Sequence, residues 1–169
     1  MIRARPAGLF RFRAQDLVWG AAFGFSLLLA KAAQSAGDSV PFPTSPLIGA
    51  ETTSWFLHEA VPLGLVGPVV EELFFRAVIL VSLFQILRRH VGHVSASVTA
   101  ALASTGLFVC LHATFTPISL VDGLQFSLLS LVCSALVLLT GRIWAAVIAH
   151  VIYNVSFLLI VYVGSSLST

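Results

Sequence analysis

Charge is what this sequence has least of: Asp, Glu, Lys and Arg make up 9% of its 169 residues, while 58% are hydrophobic. A soluble globular domain carries about a quarter charged residues, so the composition excludes that class and indicates an integral membrane protein. The nine basic residues fall in small groups beside apolar runs and form no continuous stripe, which excludes a nucleic-acid footprint. Cysteine is also sparse. Cys110 and Cys133 both lie inside apolar stretches, where a thiol packs as a small hydrophobe, and this argues against a disulfide or metal role. No His-Glu-x-x-His zinc motif, no cofactor-binding glycine pattern, no internal repeat and no low-complexity tail is present.

Long apolar runs fill the space those absences leave. Residues 1 to 16 mix Arg3, Arg5, Arg11 and Arg13 with Phe10 and Phe12, a combination suited to an anionic membrane surface. A first span follows from about Leu17 to Ala36, enough at roughly 1.5 Å per residue to cross about 30 Å of hydrocarbon. It lacks a small-x-small cleavage site and reads as a retained anchor, with Lys31 near its far end able to snorkel. Pro41, Pro43 and Pro46 make residues 37 to 53 a loop. Apolar character returns over 54 to 89, interrupted by Pro62, Gly64, Gly67 and Pro68, and again over 95 to 113, 122 to 139 and 143 to 163. Trp19, Trp55 and Trp144 each fall near a span end, as aromatic belts predict.

The expected fold is therefore an all-α integral membrane bundle of five to six transmembrane helices around a polar intramembrane cavity. Residues 1–53 form a basic N-terminal segment, first helix and Pro-rich loop; residues 54–169 form the core. Counting 54 to 89 as one crossing puts the N-terminal arginines, Arg88, Arg89 and Arg142 on one side, and Asp38, Glu51, Glu59 and Asp122 on the other. That asymmetry predicts a cytoplasmic N-terminus, in a bacterial inner membrane. A separate crossing by 54 to 66 would break the pattern.

Against this apolar background the run Glu71-Glu72-Leu73-Phe74-Phe75-Arg76 stands out. Gly67-Pro68 before it predicts a helix start, with both acids in a first turn that the helix dipole favours. Glu72 and Arg76, four apart, share a face and can pair, whereas Glu71 points about 100° away and is left free. A bland alternative is a structural ion cluster at the membrane surface. Three further positions weigh against it. His112 follows Phe108 by four residues, and Asn154 follows His150 by four, so each pair shares a helix face. Ionisable groups at membrane depth are costly and face a bundle interior or a wet cavity, and one common cavity satisfies them all. His58 with Glu59 reads as interfacial, and His90 with His93 as a solvated connection beside Arg88 and Arg89.

Glu71-Glu72-x-x-x-Arg76, Phe108-x-x-x-His112 and His150-x-x-x-Asn154, in that order on successive apolar helices, resemble the CPBP family of intramembrane proteases, also known as the CAAX-protease and bacteriocin-processing, or Abi, family. The resemblance covers about residues 54 to 163. It implies that Glu71 acts as general base on water with help from His112, that His150 and Asn154 stabilise an oxyanion, and that Glu72 belongs to the catalytic set. Arg76 and Phe108 would be positioning residues. General chemistry agrees, since a low-dielectric cavity raises a carboxyl toward the working range and imidazole and carboxamide N–H groups suit an oxyanion. Ala77 stands where family members usually have Gly, and no second His follows His112; the latter weakens a prenylated CAAX peptide as substrate.

Glu71, His112 and His150 also match a donor set found in catalytic zinc sites, so the cofactor is either none or a divalent metal such as zinc, with the metal-free glutamate mechanism preferred. The expected function is an intramembrane endopeptidase acting on a membrane-bound protein or peptide, by C-terminal sorting-signal or prenyl-type processing; the short chain resembles the myxosortase branch. The alternative is a non-catalytic immunity or scaffold protein that binds a peptide in the same cavity. The lipid bilayer is the expected partner besides substrate. A proton-coupled transporter is disfavoured, because five or six spans without a repeat leave little for alternating access.

Overall fold

The computed structural model describes residues 8–35, 43–45, 48 and 52–168. Arg3, Arg5, Asp38, Pro41, Pro46 and Glu51 lie outside the described residues. Among those described the chain is all helical. Helix α1 is Ala14–Ser35. Residues 52–91 form one unbroken helical path, α2, in which α-helical pieces Thr52–Trp55, Gly67–Glu72 and Val81–Val91 alternate with wide π turns at Phe56–Ala60, Pro62–Val66 and Leu73–Leu80. Helices α3 (His93–Phe115), α4 (Leu120–Thr140) and α5 (Trp144–Ser168) complete the bundle. Ala14–Gln34, His93–Phe115, Leu120–Thr140 and Trp144–Leu167 are each long and apolar enough to cross a membrane. The protein is an all-α integral membrane protein.

Helix α2 corrects two expectations. Its backbone stays right-handed through Val61, Val66, Gly67, Glu72 and Leu73, so Pro62, Gly64, Gly67 and Pro68 do not break it, and no helix begins at Gly67-Pro68. A π turn bonds to the fifth residue back, and the Gly67 N–H donates to the Pro62 carbonyl in that register. The acids consequently close a short α-helical piece just before the π turns of Leu73–Leu80, and the first-turn dipole argument does not apply to them.

Contacts fix how the helices run. Asp16 at the start of α1 meets Arg142 just before α5, with Arg142 Nη2 2.7 Å from Asp16 Oδ1. Further along, a Cβ at Gly20 would lie 2.6 Å from Ile148, and one at Gly24 2.8 Å from the Ala149 carbonyl and 2.9 Å from Ile152. Helices α1 and α5 are thus parallel and pressed together on a Gly-x-x-x-Gly seam, the close backbone approach typical of membrane helices. Helix α2 runs the other way, with Trp55 against Tyr162 and Glu72 against His150. Gly92, at a φ of 78°, reverses the chain into α3, and Gly141, at 70°, reverses it after α4; both lie in the left-handed region that glycine tolerates. The arginines at 88, 89 and 142 therefore share one end with the start of α1, and the α3–α4 connection lies at the other.

Phe75, Leu80, Phe84, Phe108, Leu129 and Val137 form the buried core between α2, α3 and α4, while Val70, Leu73 and Phe74 point outward. Two readings change with packing. Arg142 is buried on Asp16, whose carboxylate raises the guanidinium further above its ordinary value through their hydrogen bonds. Trp55 is buried against Val161 and Ile48, not placed in an interfacial belt.

Candidate active site

The two acids are adjacent in sequence and have opposite fates. Glu72 is completely buried, with Oε2 3.2 Å from Arg76 Nε on the next turn and Oε1 2.9 Å from His150 Nδ1. Arg76 is equally buried, donates from Nη2 to the Ser130 carbonyl at 3.1 Å, and lies over the Phe108 ring at 5.1 Å. Phe108 thereby supports the guanidinium from α3. Glu71 keeps about a quarter of its side chain exposed and, among the described residues, forms no ion pair with Lys or Arg; its Oε2 lies 3.7 Å from His150 Nε2 and 3.9 Å from His112 Nε2.

Each imidazole is oriented from behind. A carbonyl only accepts, so the 2.9 Å contact between His112 Nδ1 and the Phe108 carbonyl makes Nδ1 the donor and turns Nε2 toward Glu71. The ring is held between Phe108 at 4.4 Å and Phe126 at 4.8 Å, centroid to centroid. His150 is fixed in the same sense by the Glu72 carboxylate, which again leaves Nε2 facing Glu71.

These groups line a cavity of about 320 Å³ whose wall includes Glu71, Phe108, His112, His150 and Asn154. The Asn154 carboxamide donates from Nδ2 to the Leu63 carbonyl at 2.8 Å. Sequence reasoning missed the rest of the polar wall. Lys31 pairs with Asp122 at 3.0 Å, and Gln125 accepts from Gln34 and donates to the Leu27 carbonyl; Lys31, Asp122 and Gln125 all face the cavity. Lys31 does not simply snorkel. The available signal was a polar pair at the same end of two spans, Lys31 with Gln34 on α1 and Asp122 with Gln125 on α4. His58 bonds only within its own turn, to Ser54, and Glu59 accepts from Ser45.

Zinc ligands on one tetrahedral ion, each about 2.0–2.1 Å from it, lie roughly 3.4 Å apart. The Glu71 oxygen is 3.7 and 3.9 Å from the two imidazole nitrogens, and among the described residues no three His, Cys, Asp or Glu side chains gather into a metal-holding group. Glu71, His112 and His150 are the residues that would hold an ion here, at separations a few tenths of an ångström wider than those about a bound zinc.

A family model described as Type II CAAX prenyl endopeptidase Rce1-like matches residues 53–156. The chain belongs to this family. The match begins in α2, spans α3 and α4, and ends in α5 just past Asn154, so it encloses every residue of the three motifs and leaves α1 outside. Membership makes the protein a CAAX-type intramembrane endopeptidase, a peptide hydrolase acting on a membrane-embedded peptide or protein. No curated protein and no solved structure matches the chain.

Proposed function

We propose that the chain cleaves its substrate by a metal-free mechanism in which Glu71 activates water. The observation that carries this reading is the contrast between the acids: Glu72 is engaged by Arg76 and His150, while Glu71 Oε2 faces two imidazole nitrogens in a cavity wall. With Nδ1 of His112 donating to Phe108, its Nε2 and the Glu71 carboxylate are both acceptors at 3.9 Å. A water that donates one hydrogen to each bridges them and turns its lone pairs toward a bound carbonyl. As that oxygen bonds to the carbonyl carbon, its proton passes to Glu71. The same proton then goes to the leaving nitrogen as the C–N bond breaks, and the carboxylate is restored.

His150 supplies the oxyanion donor. Glu72 holds the ring at Nδ1 from behind, and Nε2 faces the cavity beside Glu71, where its N–H would meet an oxyanion. Positive-inside orientation places the arginine end in the cytoplasm. His112, one turn from the end of α3, and Asp122, in the first turn of α4, then set the cavity in the outer half of the bilayer. This favours C-terminal processing of an exported, membrane-anchored protein, as in the myxosortase branch, over trimming of a prenylated peptide.

Glu71→Gln preserves shape and removes the base. In proteoliposomes, cleavage of a membrane-anchored reporter should fall by about 10²–10⁴-fold. Undiminished cleavage would sink Glu71 as the base, whereas absence of cleavage by the wild type would leave a peptide-binding immunity or scaffold protein.

A further inference from the structure

Two prolines inside α2, Pro62 and Pro68, each withhold an N–H from a backbone carbonyl, and for Pro68 the replacement donor is visible. In the π register of Pro62–Val66, the Gly67 N–H goes to the Pro62 carbonyl, so the donor owed to the Leu63 carbonyl is the nitrogen of residue 68. That residue is proline and has no hydrogen. A carbonyl stranded at membrane depth must find a partner within the protein, and this one finds Asn154 Nδ2 at 2.8 Å, from a helix distant in sequence.

The turn that contains Leu63 separates two spaces. Leu63 faces the polar cavity with Glu71 and His150, whereas its neighbours Val61 and Leu65 face an apolar groove of about 640 Å³ shared with Val155 and Tyr162. Leu158 borders both. Gly64 lies flat on α5, where a Cβ would come within 3.1 Å of Leu158 and 3.3 Å of Val155. The partition between cavity and groove is thus one wide helical turn, two turns before Glu71, whose missing hydrogen bond is supplied from outside.

We propose that Asn154 is a positioning residue: its carboxamide replaces the N–H that Pro68 withholds from Leu63, and so holds the partition that keeps the polar cavity separate from the apolar groove. The same carboxamide sits one turn after His150, so the bond also registers the wall against the helix that carries the imidazole. Only one of the two Nδ2 hydrogens is committed to Leu63.

Pro68→Ala provides the test, because alanine restores an N–H in the position to serve the Leu63 carbonyl and makes Asn154 dispensable. Cleavage is compared in wild type, Asn154→Ala, Pro68→Ala and the double variant; this kinetic arm rests on the peptidase reading above. Asn154→Ala should lower kcat/KM about tenfold, mostly through KM, as expected when a carbonyl in the cavity wall loses its donor. The double variant should recover to within about threefold of Pro68→Ala alone. A kcat loss of about 10²–10³-fold that Pro68→Ala does not rescue makes Asn154 an oxyanion donor and overturns the proposal. Deuterium exchange over residues 61–72 in nanodiscs needs no substrate. Asn154→Ala should speed it about tenfold and the double variant should reverse the change; exchange indifferent to Asn154→Ala also overturns the proposal. Absence of cleavage in wild type with the exchange pattern intact counts against the peptidase reading alone.

Discussion

Arg76→Met tests whether the buried ion network, and not apolar packing alone, holds α2 to α3 and α4. Arg76 is completely buried, pairs with Glu72 at 3.2 Å, donates to the Ser130 carbonyl at 3.1 Å and lies over Phe108 at 5.1 Å. Methionine fills much of the same volume without clashing, so the change isolates charge. A charge-assisted hydrogen bond is worth about 1.5–3 kcal/mol and a desolvated cation–π contact up to about 2. These overlap with the larger effect, the stranding of the Glu72 carboxylate, which is left with His150 and the neutral Cys133 thiol. Removing one partner of a buried pair costs about 3–5 kcal/mol, and that is the expected loss. Reversible unfolding in mixed micelles measures it, and a cycle with Glu72→Gln separates charge from packing. Because the amide no longer needs a cation, Arg76→Met should cost at least about 1.5 kcal/mol less in the Glu72→Gln background than in wild type. An Arg76→Met loss under about 1 kcal/mol, or strict additivity in the cycle, would refute the account of Glu72 as a carboxylate held by Arg76.

Gly24→Leu should push α1 off α5, since even a Cβ would sit 2.8 Å from the Ala149 carbonyl; a stability loss of about 1–3 kcal/mol is expected, and a value near zero would show that the seam is not tight. Asp16→Asn should strand Arg142 and cost about 3–5 kcal/mol. The folded-state pKa of Arg142 is raised, so its contribution is complete below the ordinary arginine range and is lost only as pH climbs above it. The arginine side of the pair therefore adds no slope between pH 6 and 9, and a change in the Asp16→Asn penalty across that window, read by parallel unfolding titrations, would contradict it. Chelation should leave cleavage within about twofold of untreated enzyme, given the Glu71–imidazole separations; loss of activity restored by added zinc would instead put a metal between them.

Local spacing made the chemistry of the site legible. The four-residue step from Glu72 to Arg76 fixed their pairing, and the cost of a histidine at membrane depth brought His112 and His150 to one cavity. What remained hidden depends on partners far apart in the chain. Pro62, Gly67 and Pro68 look like breakers until the π register and the carboxamide of Asn154 supply the bonds they lack. Asp16 and Arg142 read as surface charges from opposite ends of the sequence, yet they meet at 2.7 Å. Nothing in local hydropathy indicates that the first span packs against the last.

That first span is fastened at both extremities, to Arg142 beside α5 and to Asp122 on α4. It acts as a strut alongside the α4–α5 hairpin, so parting α1 from that hairpin means giving up an ion pair near each end of the strut.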